Sequence, residues 1–147
     1  MALLKQWFPG CAVTTDLIVA FPGETEEEFQ QSLDFMRTCG FALVHIFPYS
    51  RRTGTPAASM PGQLGNAVKE QRAARAAQVA AELETEYNEA MLGQVYPVLF
   101  EQVEHGLFTG HAPNYVKVYA KGEELHNAVK SVRITGPYRD GVLGEIV

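Results

Sequence analysis

The chain has 147 residues, is 46% hydrophobic and carries a formal charge of -5. That length suits one compact domain or two small ones, and the acidic balance excludes a chain that grips nucleic acid by bulk positive charge. The only cysteines, Cys11 and Cys39, form no C-x-x-C, so neither a zinc site nor a disulfide framework is supported. No apolar run approaches the roughly 18 residues of a membrane span and no signal-peptide core is present, so a cytoplasmic protein is expected.

In chain order, VTTDLIVAF (13–21) is apolar and β-branched and is closed by Pro22-Gly23, which predicts a buried strand. ETEEEFQQSLDFMRTCG follows. Thr25 and Glu28 form a capping-box pair, Phe29, Leu33 and Met36 share one helical face, and Gly40 is the stop. The acids Glu24, Glu26, Glu27 and Glu28 read as a solvated helix N-terminus. FALVHIF (41–47) predicts a second strand, so the segment is a βαβ unit with a parallel sheet. The Gly- and Pro-rich stretch 53–66 is a loop, and 67–92 is one long Ala-rich helix ending at Gly93.

After Gly93 five short runs, VYPVLFEQ, HGLFTGH, NYVKVYA, AVKSVRITG and GVLGEIV, are separated by turn residues. They predict a small antiparallel barrel of the OB type. In NYVKVYA the alternation places Val116 and Val118 on one face and Tyr115, Lys117 and Tyr119 on the other. The fold class is therefore α/β plus all-β, with residues 1–91 forming an α/β part and 92–147 a five-stranded barrel. A parallel sheet of two strands cannot cover both its faces, so the first part reads as the end of a larger α/β domain.

Charge is uneven. Arg51, Arg52, Lys69, Arg72 and Arg75 cluster between 51 and 75 with one acid, Glu70. The stretch FPYSRRTGTPA (47–57) places Tyr49 and Ser50 directly after the second strand, where ligands gather in barrels of parallel strands. Ser50 can donate to a phosphate or carboxylate, Tyr49 can stack on a ring, and Arg51 and Arg52 can engage phosphate bidentately. Asp16, inside an apolar strand, is either a ligand-facing carboxylate or a hydrogen-bonded structural acid. Arg72 and Arg75 lie one turn apart and face either solvent or an RNA backbone. Tyr115, Lys117 and Tyr119, with Lys130 and Arg133, interleave rings and cations as single-stranded RNA sites do.

TTDLIVAFPGETEEEF followed by HIFPYSRRTGTPA and a small barrel resembles the C-terminal part of the radical-SAM tRNA methylthiotransferases. The loop residues FPYSRRTGTPA and MPGQ look most like the branch that modifies threonylcarbamoyladenosine next to the anticodon, although the ribosomal-protein branch shares much of the architecture. The resemblance implies a partial (β/α) barrel ending in a TRAM module. It also implies S-adenosylmethionine near Asp16, Ile18, Tyr49 and Ser50, and tRNA on Arg51, Arg52, Arg72, Arg75, Tyr115, Lys117, Lys130 and Arg133. The implied [4Fe–4S] clusters need a C-x3-C-x2-C run and an upstream domain, and this sequence holds neither cluster motif. The 147 residues alone are therefore expected to be inactive, as part of a longer enzyme. Ala20 departs from the family's usual Gly in GFPGE. The alternative is a stand-alone TRAM-type RNA-binding protein.

Overall fold

The computed structural model describes all 147 residues. Its elements are α1 (Ala2–Trp7), β1 (Thr14–Val19), α2 (Glu26–Cys39), β2 (Leu43–Pro48), α3 (Pro56–Ser59), α4 (Asn66–Ala90), β3 (Val95–Glu104), β4 (Leu107–His111), β5 (Lys117–Ala120), β6 (Ala128–Tyr138) and β7 (Gly141–Ile146). Residue contacts form two units. One is Val13–Glu84, and the other is Met1–Ala12 with Thr85–Val147.

In Val13–Glu84, β1 and β2 pair in parallel, with Asp16 opposite His45 and Ile18 opposite Phe47. Helix α2 connects them as the sequence predicts. The Thr25 side chain accepts from the Glu28 backbone N–H and the Glu28 carboxylate accepts from the Thr25 N–H, so two otherwise unpaired donors are satisfied at once. At the other end Gly40 takes a left-handed conformation, φ 62°, that a side chain would strain. Phe29, Leu33 and Met36 project onto one face of the sheet. There they meet Val19 and Val44, with Ala76, Val79 and Leu83 of α4 completing the core. The small Ala76, fully buried, lets α4 approach closely. The expected loop 53–66 contains one extra turn of helix, α3, opened by Pro56 at its first position.

The second unit is a closed barrel with strand order β3-β4-β5-β7-β6, β6 returning to pair with β3. Five strands are observed where five were expected, but β5 and β7 run parallel. The expectation of a wholly antiparallel barrel is corrected accordingly. After β5 the chain crosses over to make β6 and then folds back, which brings β7 alongside β5 in the same direction. Val98, Phe100, Val118, Val132 and Val142 are fully buried inside. Gly110 of β4 lies so close to β3 that a Cβ there would sit 1.9 Å from the Leu99 carbonyl oxygen, so no larger residue fits.

Candidate functional site

The site begins with the uncovered face of the two-stranded sheet. Side chains alternate across a strand. Leu17, Val19, Val44 and Ile46 therefore point into the core, while Asp16, Ile18, Leu43, His45 and Phe47 point the other way. Nothing in this unit covers that second face. Ile18 is 52% exposed and Phe47 50%. Two large apolar groups side by side in water are costly, at roughly 25 cal/mol per Å² of apolar surface, and such a patch marks a surface meant for something else. The expectation of a wholly buried strand over 13–21 is thereby corrected, since Asp16 and Ile18 are exposed.

At the C-terminal ends of the strands this face deepens into a cleft of about 460 Å³, where Asp16, Ile18, Phe47, Tyr49, Ser50 and Arg52 come together. All four residues assigned to a cofactor by the sequence reading lie here, joined by Arg52, which was assigned to RNA. Phe21, which the sequence reading passed over, also borders the cleft. It is the aromatic residue of the turn after β1, and its position beyond a strand end was the available signal. Phe21 and Asp16 also border a second hollow, of about 800 Å³, between β1 and Phe35 and Phe41.

Tyr49 plays a different part from the one expected. It is 8% exposed, its ring meets Phe21 edge-on at 5.3 Å, and Lys69 Nζ sits 5.3 Å from its centroid. A ring so engaged is not free to stack on a cofactor or base. Its hydroxyl is buried with no hydrogen-bond partner.

Arg72 and Arg75 are likewise reassigned. Arg72 is 5% exposed, and its Nη1 donates to the Glu24 carboxylate at 2.5 Å and to the Glu24 carbonyl at 3.0 Å. Its guanidinium lies 5.2 Å from the Phe29 ring centroid. The same Glu24 carboxylate accepts from the Ala20 N–H at 2.7 Å. Arg72 therefore clamps the β1–α2 turn and cannot reach an RNA backbone. Arg75 pairs with Glu26 and donates to Gln30 at 3.1 Å. The Arg75 hydrogen bond holds the Glu26 carboxyl below its usual range. Glu24 and Glu26 thus face these arginines rather than solvent alone, because α4 returns alongside α2.

In the barrel unit the expected stripe of rings and cations is broken up. Lys117 Nζ pairs with Glu104 at 2.8 Å and with Asp140 at 3.3 Å, and its pKa is raised chiefly by the Glu104 hydrogen bond. Its charge is neutralised within the barrel, which corrects its assignment to RNA. Tyr119 is 1% exposed and donates to Asp140. Burial pushes its phenol up, and its hydroxyl is the main cause that holds the Asp140 carboxyl down. Tyr115 instead stands 87% exposed with φ 63°, an uncommon conformation for a bulky residue. Lys130 and Arg133 are exposed on β6, which β7 separates from β5, so they do not share a strand pair with Lys117. Tyr115 does have neighbours that the sequence reading did not find. With Trp7, Phe8 and Tyr96 it lines a cleft of about 560 Å³. The Tyr87 hydroxyl ties the segment before β1 to this unit, donating to the Gly10 carbonyl at 2.8 Å and accepting from Asn114 at 3.0 Å.

The fit to the implied cofactors differs between the two. An exposed apolar sheet face beside an unpaired carboxylate and guanidinium suits a nucleoside carrying an amino-acid group, as S-adenosylmethionine does, and Asp16, Ile18, Phe47, Ser50 and Arg52 would hold it. An iron–sulfur cluster does not fit, because no three His, Cys, Asp or Glu side chains come together here.

No family model matches the chain. Comparison with curated proteins nonetheless places it among homologues of the radical-SAM methylthiotransferases, whose C-terminal part it matches. It is 39% identical to the threonylcarbamoyladenosine tRNA methylthiotransferase MtaB of Bacillus subtilis (strain 168), over 98% of this chain and 34% of that protein. It is 37% identical to the tRNA-2-methylthio-N(6)-dimethylallyladenosine synthase of Maricaulis maris (strain MCS10), over 94% of this chain and 31% of the relative. The ribosomal protein uS12 methylthiotransferase RimO of Synechococcus sp. (strain JA-2-3B'a(2-13)) is 36% identical, over 98% of this chain and 32% of its own length. The chain thus spans about a third of the length of these relatives.

Proposed function

We propose that these residues form the C-terminal portion of a cytoplasmic methylthiotransferase that acts on threonylcarbamoyladenosine in tRNA. Residues 1–91 complete a radical-SAM (β/α) barrel, and residues 92–147 are its OB-like TRAM module for RNA. The observation that carries this reading is the uncovered sheet face ending in a cleft with Asp16, Ile18, Ser50 and Arg52. A lone protein gains nothing by leaving Ile18 and Phe47 in water, whereas a barrel wall needs that face free for ligand. The same observation weighs against a stand-alone RNA-binding protein. The cofactor, when bound, supplies the methyl group and radical chemistry. Residues of this chain give it an apolar wall and polar anchors, while Tyr115, Trp7 and Phe8 offer rings to unpaired bases and Lys130 and Arg133 offer charge to phosphates. The clusters and their cysteines belong to the rest of such an enzyme, and the 147 residues alone do not methylthiolate.

RNA binding tests the substrate part. Anticodon stem-loops carrying threonylcarbamoyladenosine, dimethylallyladenosine or plain adenosine are titrated into the chain. The expected order is tightest for threonylcarbamoyladenosine. Equal affinity for all three and for an unrelated hairpin overturns the assignment.

A further inference from the structure

The cleft of the barrel unit has two walls that lie far apart in the chain. One is the segment Trp7–Ala12 and the other is the loop between β4 and β5, with Tyr96 of β3 also lining it. A single group joins the walls: the Tyr87 hydroxyl donates to the Gly10 carbonyl at 2.8 Å and accepts from the Asn114 amide at 3.0 Å. Each wall is also braced locally. The Cys11 N–H donates to the Phe8 carbonyl at 3.1 Å. The loop is closed by the Tyr115 N–H to the Ala112 carbonyl at 2.9 Å and the Ala112 N–H to the Val116 carbonyl at 3.1 Å. The rings held in this way are open to solvent, Trp7 70% and Phe8 62% exposed, and Tyr115 more so. A bulky residue kept in a left-handed conformation with its ring in water adds nothing to the barrel core, and such backbone outliers cluster where ligands are held. No charged residue lines the cleft, although this unit holds more acids than bases. Lys5, two residues before Trp7, is the only charged side chain ahead of Asp16, and Arg133 stands opposite Val95, next to Tyr96.

We propose that this cleft takes one unpaired nucleobase against the rings of Trp7, Phe8 and Tyr115, so that the segment before β1 is as much a part of the RNA-binding surface as the barrel is. This rests on the reading of the barrel as an RNA module and narrows it from exposed rings to one pocket with two walls. At about 560 Å³ the cleft falls within the roughly 300–1,000 Å³ of small-ligand sites, large enough for a base with its ribose. Rings and an uncharged lining suit a flat neutral heterocycle, which every base presents and which a duplex keeps covered. The Tyr96 hydroxyl, 4.0 Å from where a Cβ on Gly10 would stand, offers a hydrogen bond to the base edge. Cations near the rim, with no carboxylate in the lining, suit the phosphates on either side. Tyr87 does not line the cleft. It is a positioning residue that holds the two walls at one spacing.

Trp7 is the only tryptophan, so its fluorescence reports on this cleft alone. Three probes are titrated into the 147-residue chain: an RNA hairpin with a single-stranded loop, the same hairpin with abasic loop nucleotides, and an extended proline-rich peptide. The abasic hairpin keeps every phosphate and removes the loop's rings. The intact hairpin is expected to quench Trp7 and to bind at least about fivefold tighter than the abasic one. Tyr115→Ala is expected to remove that advantage and to leave abasic binding within about twofold. The Tyr115 ring is exposed, so its loss leaves the fold intact. Tyr87→Phe is expected to weaken the intact hairpin by about two- to tenfold and the abasic one not at all, a split that a general loss of stability would not produce. If intact and abasic hairpins bind equally, the RNA module stands and the base cleft falls. An advantage that survives Tyr115→Ala overturns the proposal as well. Quenching by the peptide and not by RNA assigns the cleft to a protein partner and overturns it. No binding of any probe overturns the proposal and the RNA reading together.

Discussion

The two sheets solve the same problem in different ways. Five barrel strands pair all the way round, so no backbone edge is left open and both Val98 and Val132 are fully buried. Two parallel strands in Val13–Glu84 bury one face under α2 and α4 and leave Ile18, Leu43 and Phe47 on the other. A barrel this small is filled by its own side chains, whereas a parallel pair needs further neighbours for its second face. Polarity follows the same contrast. The barrel's charges Lys117, Glu104 and Asp140 pair with one another, while Asp16 and Arg52 border the cleft at the open sheet.

The largest effect that sharpens this contrast comes from truncating equivalent apolar groups. Phe100→Ala removes a fully buried ring from the barrel and is expected to cost about 3–5 kcal/mol in urea unfolding. Phe47→Ala on the open face is expected to cost under about 1 kcal/mol, because half its surface is already in water. A cost at Phe47 as large as that at Phe100 would mean that the face is covered.

A smaller effect concerns the turn at the cleft. Ala20 is fully buried at φ 58°, where an L side chain is strained. Ala20→Gly is expected to stabilise the sheet unit by about 0.5–1 kcal/mol, read from the urea midpoint. A destabilisation would show that the methyl group's packing outweighs the strain.

The smallest belongs to the barrel's polar cluster. The folded-state pKa of Asp140 is depressed, first by the Tyr119 hydroxyl and then by Lys117. Its contribution is therefore complete above its ordinary value of 3.8 and is lost as pH falls below it. Asp140→Asn should lower the barrel's melting temperature slightly at pH 7, and the gap from the native chain should close on acidification. A gap that widens toward low pH would reverse the sign.

Much of this was legible in the sequence. Thr25 with Glu28 marked the start of α2 and Gly40 its end, and five turn-separated runs marked the barrel. Contacts between distant segments were not legible. Arg72 reads as a surface residue until α4 brings it 48 residues back along the chain to Glu24. The alternation in NYVKVYA suggested an outer stripe, but Tyr115 belongs to a left-handed turn and the strand begins only at Lys117. Asp140, in the β6–β7 turn, then accepts from the Tyr119 hydroxyl. The cleft itself was visible as strand-end chemistry, but which arginine enters it was not.

Native-state hydrogen exchange tests the contrast between the sheets most directly. Amides of β1 and β2 should exchange at least about tenfold faster than the inner amides of β3 and β6, because an open two-stranded sheet unfolds locally before a closed barrel does. Equal protection of both sheets would contradict an uncovered face in Val13–Glu84, and with it the reading of that face as the wall of a ligand site.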